Sequence, residues 1–213
     1  MGTNIIRRPF RYRNDNVVFI LIGINILVYI AELFFRNSQI ITRLSMIPLA
    51  VVQRRWIWQF FTYMFVHDPN SIAHILFNMF ALFMFGRQVE WKMGSSEFLL
   101  YYLLTGTLAG VFSFFVYIFT GNPLVFLMGA SGAIFAVQLA FAAFFPDSIM
   151  YLWGILPLRA PVMVLGFTAV EIFLMISGFG GNVAHATHLA GFGFGWLYFI
   201  VRFGINPWRA MRR

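Results

Sequence analysis

Four places in this sequence put groups able to move protons, or to attack a carbonyl, inside otherwise apolar runs: Ser131, His188 with His185, His74 with Asn78, and Glu171. Polar groups so placed are costly in lipid, and they are functional candidates unless they simply pair with one another. Ser131 stands in Gly129-Ala130-Ser131-Gly132-Ala133, at the outward start of a helical run. There its hydroxyl would lie beside the unsatisfied N–H groups of a helix N-terminus, which stabilise a developing oxyanion. The glycines clear the approach to the hydroxyl and admit a close neighbouring helix. Taken alone, such a small-residue cluster reads more often as helix packing than as a nucleophile. His188 changes that reading, because it lies near the start of the last apolar run and can reach the depth of Ser131. An imidazole there can take the serine proton and return it to a leaving amine; the alternative is a histidine satisfied by a backbone carbonyl. Gly191 and Gly195 follow at small-xxx-small spacing, a ridge on which the last helix would pack tightly against the helix of Ser131.

His74 and Asn78, four residues apart, share one helix face. Either can donate a hydrogen bond to an oxyanion at the depth of Ser131, or the pair can bridge two helices. His185-x-x-His188 and His74 together offer three imidazoles, but the H-E-x-x-H arrangement of a zinc protease is absent, so no metal is expected. Asp15, Asp68 and Asp147 all fall outside the apolar runs, leaving no aspartate pair to share a proton. Glu171, in the middle of a run, is either a proton-relay carboxylate or a neutral acid bonded to another helix.

The elements that must position these groups are read from composition. Of the 213 residues 61% are hydrophobic and 10% charged, against about 25% charged in an ordinary soluble domain. One soluble core could not hide that much apolar surface, so lipid is the expected solvent and the chain reads as a single all-α membrane domain. Six spans are expected, at about Val17–Phe35, Ile72–Val89, Phe98–Phe119, Leu124 to before Pro146, Pro161–Ile176 and Ala184–Phe203. Between the first two, Arg43, Arg54 and Arg55 interleave with Trp56, Trp58, Phe60, Phe61 and Tyr63, as in an amphipathic loop embedded at the headgroups. An ordinary hydrated loop is the alternative.

The net charge of +8 would suggest nucleic acid in a soluble protein, but here it reads as topology. Six crossings put Arg7, Arg8, Arg11, Arg13, Arg87, Lys92, Arg159, Arg202, Arg209, Arg212 and Arg213 on one side, and only Arg36, Arg43, Arg54 and Arg55 on the other. The positive-inside rule then makes residues 1–16 and 204–213 basic cytoplasmic tails around a membrane domain at 17–203. The basic start is expected to be retained, since no small-residue cleavage site follows it. Cysteine is absent, which excludes disulfides and thiolate metal sites.

The residues resemble the rhomboid family of intramembrane serine proteases over nearly the whole chain, through four motifs in order. His74-Ile75-Leu76-Phe77-Asn78 is similar to the family's H-x-x-x-N, and Gly86 to Gly94 around Glu90 to its G-x-x-x-E-x-x-x-G. Gly129-Ala130-Ser131-Gly132 resembles G-x-S-G, and His188-Leu189-Ala190-Gly191 with Gly195 resembles the sixth-helix histidine and its glycine ridge. The resemblance implies a six-helix bundle with Ser131 as nucleophile and His188 as base and acid, a dyad without a carboxylate. It implies an oxyanion hole of His74, Asn78 and the Ser131 N–H, with Phe135 stacked on the catalytic ring and His185 a neighbour of the base. Residues Ser177 to Asn182 would form a cap over the site, and the fifth helix a movable side wall. The implied substrates are single-pass transmembrane proteins cut near the outer face, without a cofactor, in a bacterial inner membrane with both termini cytoplasmic. One departure is Trp58-Gln59 where the family commonly has Trp-Arg, so the hydrogen bonds that hold the loop are expected to be arranged differently, with Arg54 and Arg55 close enough to substitute. A non-cutting binding protein of the same fold would lack the serine or histidine, and a small-solute transporter would show internal repeats; neither feature is present.

Overall fold

The computed structural model describes residues 10–35, 39–152, 154–177 and 182–212. Helix α1 (Val17–Phe34) opens without a side-chain cap of its own. A helix start leaves N–H groups unsatisfied and partly positive, and here Glu90 supplies the missing acceptor. Its carboxylate accepts from the Val17 N–H at 2.7 Å and the Val18 N–H at 3.0 Å, while the Ser95 hydroxyl donates to it as well. Glu90 thereby ties the start of α1 to the end of the second long helix. The described part of the expected N-terminal tail also packs there: Phe10 N–H donates to Glu97, Tyr12 to the Trp91 carbonyl, and Ser95 N–H to the Arg13 carbonyl.

The connection that follows folds into three short helices, α2 (Ile40–Leu44), α3 (Pro48–Arg54) and α4 (Gln59–Thr62). The hydrogen bonds that hold this loop are arranged around Gln59. Its side chain is fully buried: the carbonyl accepts from Ile47 N–H at 3.0 Å, and the NH2 donates to the Thr42 and Arg43 carbonyls at 2.9 and 3.3 Å. An amide carries both a donor and an acceptor, so it joins α4 to both sides of the chain reversal. Arg54 instead lies over the Trp56 ring.

Next comes one continuous helix over Ile72–Met93, made of α5 (Ile72–Ala81), a π turn (Leu82–Gly86) and α6 (Arg87–Met93). It runs past the expected end at Val89 and stops at Gly94, whose φ of +85° favours glycine. Helix α7 (Ser95–Phe119) follows. Residues 124–130, expected inside the fourth span, are not helical. Pro123 precedes them and Gly129 (φ +115°) lies among them, and their backbone groups pair with the first loop: Met46 and Leu127 exchange two hydrogen bonds of 3.0 Å, and Gly129 N–H donates to the Tyr63 carbonyl at 3.0 Å. Helix α8 (Ser131–Phe144) therefore begins at Ser131 itself.

The link after α8, read from sequence as a plain connection, forms an antiparallel ribbon of β1 (Ile149–Leu152) and β2 (Leu156–Arg159). Helices α9 (Ala160–Ser177) and α10 (Asn182–Tyr198) complete the bundle; α10 continues through a π turn (Phe199–Phe203). Asn206 then caps α11 (Pro207–Met211). The expected cap at 177–182 falls largely outside the described residues.

Among the described residues, four helices, Val17–Phe34, Ile72–Met93, Ser95–Phe119 and Ala160–Ser177, are long and apolar enough to cross a bilayer. Helix α8 is shorter and sits in the middle, buried at every residue from Ala136 to Ala143. A helix apolar on all sides is stable only when enclosed, and α7, α9 and α10 enclose it.

Gln59→Ala leaves the Ile47 N–H and the Thr42 carbonyl unpaired, a loss of about 1–3 kcal/mol per buried group. The variant is expected to unfold at lower temperature in detergent than wild type, read by a thermal melt.

Candidate active site

Helices α8 and α10 touch backbone to backbone. A β-carbon at Gly191 would collide with the Gly132 carbonyl, and one at Gly195 would lie 2.6 Å from the Tyr101 hydroxyl and 3.0 Å from Ala136 Cβ. Small residues permit this approach between helices. The approach carries His188, one turn before Gly191, to the first turn of α8, where its Nε2 lies 2.7 Å from Ser131 Oγ. That is hydrogen-bond distance for a hydroxyl and its base. The Phe135 ring, one turn further into α8, stacks on the imidazole with centroids 4.6 Å apart and planes at 7°, which fixes the plane in which Nε2 points.

His74 faces the same place from α5. Its Nδ1 accepts a long hydrogen bond, 3.4 Å, from the Asp68 N–H, so a neutral ring carries its proton on Nε2. That Nε2 is directed at Gly129: a β-carbon there would sit 2.7 Å from it and 3.8 Å from Ser131 Oγ. Asn78 donates from Nδ2 to the His74 carbonyl at 2.8 Å, and an amide nitrogen has a second proton to offer. Ser131, His188, His74 and Asn78 all line one cavity of about 760 Å³ between α5, α9 and β1, whose other walls are largely apolar.

Glu171 enters this site from α9. Its Oε2 lies 2.5 Å from His185 Nδ1 and 3.0 Å from His188 Nδ1. The His188 contact is an ion-pair distance without in-line hydrogen-bond geometry. Among the described residues, Glu171, His185 and His188 also form the cluster whose potential ligand atoms fall within 4.8 Å of one another. His74, the third imidazole considered from sequence, is not part of it. The spacing of His185 and His188 places both on one face of α10, and a carboxylate within an apolar run needs partners. Those two signals mark Glu171 as needing a polar partner and the two histidines as candidates, and the packing of α9 on α10 makes the pair.

His67, which sequence reasoning passed over, backs His74 with ring centroids 5.1 Å apart. It lies in the connection before α5, fully buried, and its N–H backbone group donates to Glu32.

A profile of the rhomboid domain matches residues 54–205. The chain belongs to the rhomboid family. This rhomboid is 27% identical over 185 residues to rhomboid protease GlpG of Haemophilus influenzae, covering 86% of this chain and 89% of that one. It is 31% identical over 144 residues to rhomboid protease GluP of Bacillus subtilis, covering 66% of this chain but 25% of that protein. Against GlpG of Salmonella newport it is 30% identical over 113 residues, 51% of this chain and 40% of the relative. Family membership and the four membrane-length apolar helices make the rhomboid an integral membrane protein.

Two outcomes follow. Gly191→Ala, which forces α10 off Gly132, is expected to abolish labelling of Ser131 by a fluorophosphonate probe, whereas Gly193→Ala, with nothing within 4 Å of the new methyl, labels like wild type. Burial, reinforced by the His74 ring, holds His67 down at about 4 from 6.5. The unfolded chain thus binds a proton that the folded one refuses, so stability falls as pH drops from about 6.5 toward 4. A His67→Gln variant is expected to show a shallower decline in melting temperature across that window.

Proposed function

We propose that this rhomboid is an intramembrane serine endopeptidase in which Ser131 is the nucleophile and His188 its general base and acid. The 2.7 Å approach of Ser131 Oγ to His188 Nε2, inside a cavity walled by apolar helices, is the observation that carries the reading. The names of the relatives, rhomboid proteases all, support it.

Six crossings are proposed: α1, α5 with α6, α7, α8, α9 and α10 with its π turn. Enclosure by its neighbours lets α8 be short, since it need not match the lipid itself. The connection 39–71 lies embedded at the outer headgroups, with Ile57, Trp58 and Phe61 exposed to them. Both termini lie in the cytoplasm of a bacterial cell by the positive-inside rule.

The substrate is a single-pass transmembrane protein, unwound near the outer face so that a carbonyl is free of its helix. Ser131 Oγ attacks that carbonyl carbon as His188 Nε2 takes the hydroxyl proton. The negative oxygen of the tetrahedral intermediate is met by His74 Nε2–H, Asn78 Nδ2–H and the Ser131 backbone N–H, donors already oriented before the charge appears. Collapse breaks the C–N bond, and His188 passes its proton to the departing amine, leaving an ester on Ser131. Water then attacks the ester, giving its proton to His188, and the serine leaves with that proton. None of these steps calls on a metal or a cofactor.

The test is cleavage of a fluorescent transmembrane substrate by detergent-purified protein. Ser131→Ala and His188→Ala are each expected to lower cleavage by about 10³-fold or more, with unchanged thermal melts, and His185→Ala to cost less than His188→Ala. Cleavage by Ser131→Ala at the wild-type rate would sink the proposal.

A further inference from the structure

Glu171 is the one acid at the site that the steps above leave unused. It lies on α9, with its side chain 15% exposed, and one carboxylate oxygen meets two imidazoles, at 2.5 Å from His185 Nδ1 and 3.0 Å from His188 Nδ1. His188 turns its other nitrogen to Ser131. A ring that accepts a proton on Nε2 must already carry one on Nδ1. An anionic oxygen beside Nδ1 favours that tautomer and the imidazolium that forms when the serine is deprotonated.

We infer that Glu171 is a positioning residue for His188, completing a Ser131–His188–Glu171 line across α8, α10 and α9. The inference rests on the serine-protease reading above and corrects its simplest form, a base held by Phe135 stacking alone. His185, one turn before His188, shares the same oxygen and anchors the carboxylate where His188 can use it.

The carboxylate reaches the base from the least embedded helix of the site. The buried residues of α9 are Ala160, Pro161, Met163 and Val164, all near its start; from Leu165 to Ser177 none is buried. Glu171 therefore holds the rest of α9 against α10 by a polar tie. Proper orientation of His188 therefore depends on α9 being seated against α10.

A metal held by the same three groups is the competing use of this cluster. Ligand atoms about 2.0–2.1 Å from a tetrahedral zinc stand roughly 3.3 Å apart. Here the carboxylate oxygen is closer than that to both nitrogens, at a hydrogen-bond distance from His185 Nδ1 and an ion-pair distance from His188 Nδ1.

The experiment follows Ser131 labelling by a fluorophosphonate, which needs the base but no transmembrane substrate, alongside kcat and KM for a transmembrane peptide. Glu171→Gln is expected to lower both the labelling rate and kcat by about 10²-fold, with KM changed by less than roughly twofold and the melt unchanged. Glu171→Asp is expected to recover part of both rates, and it carries the comparison if the Gln variant loses its folding transition. Wild-type labelling of Glu171→Gln, or a loss confined to KM, overturns the positioning role and leaves only a tie between helices. Acceleration of wild type by a chelator, with inhibition by added Zn2+ that Glu171→Gln escapes, replaces it with a metal site. If wild type labels no better than Ser131→Ala, the serine-protease reading itself has failed.

Discussion

The backbone contact of α8 with α10 at Gly132 and Gly191 is the constraint on which the site depends. In lipid there is no hydrophobic force to drive two helices together, so close packing of small residues has to do it. Once the Gly132 carbonyl and Gly191 touch, the positions one turn away are no longer free. Ser131 begins α8, His188 precedes Gly191 by three residues, and their side chains have nowhere to meet except each other. Below this contact the same two helices are held by Gly195 against Ala136, with the Tyr101 hydroxyl donating to the Ala136 carbonyl at 2.6 Å. A hydroxyl spent on a helix carbonyl locks the third helix, α7, into the same arrangement.

The first loop does for the start of α8 what the glycines do for its flank. Tyr63 and Met64 fill the spaces over Gly110 and Gly106 of α7, so the loop is seated against the bundle and not laid on its surface. From there it offers backbone partners to the non-helical segment 124–130, through Met46 to Leu127 and Tyr63 to Gly129. An unpaired peptide group costs several kcal/mol in lipid, so a non-helical segment at this depth needs these partners. The outcome is functional: α8 cannot start earlier than Ser131, and the serine keeps the free N–H groups of a first turn.

This division explains what was legible in the residue string. Ser131, His188, His74 and Asn78 stand out because each is a polar group in an apolar run, with spacings that place His74 and Asn78 on one face and Gly191 one turn from His188. The non-helical segment before Ser131 was not legible, because Leu124 to Met128 is as apolar as a helix interior and only its hydrogen-bond partners, Met46 and Tyr63 in the distant first loop, decide its form. The part played by Gln59 was hidden for a related reason. Charge drew attention to Arg54 and Arg55 nearby, whereas the loop uses a donor and an acceptor in one buried group, which an amide has and a guanidinium lacks. Glu171 could be seen to need a partner, but not which one, since the choice among imidazoles depends on how α9 lies against α10.

The site thus joins a rigid part to a loose one. Ser131 and His188 sit on helices locked by backbone contact, and Phe135 fixes the plane of the imidazole, so their mutual distance is set by the core and not by any loop. The opposite wall, α9, is buried only near its start and has a polar grip on α10 through Glu171. Breaking that grip exposes a carboxylate and two imidazoles to lipid or to an incoming helix, a cost that falls once water or polar substrate backbone arrives to replace the contact. An unwound segment carries free peptide N–H groups able to do this, whereas an intact helix does not. The polar grip on α9 is therefore most easily replaced by a segment whose own helix is already weak.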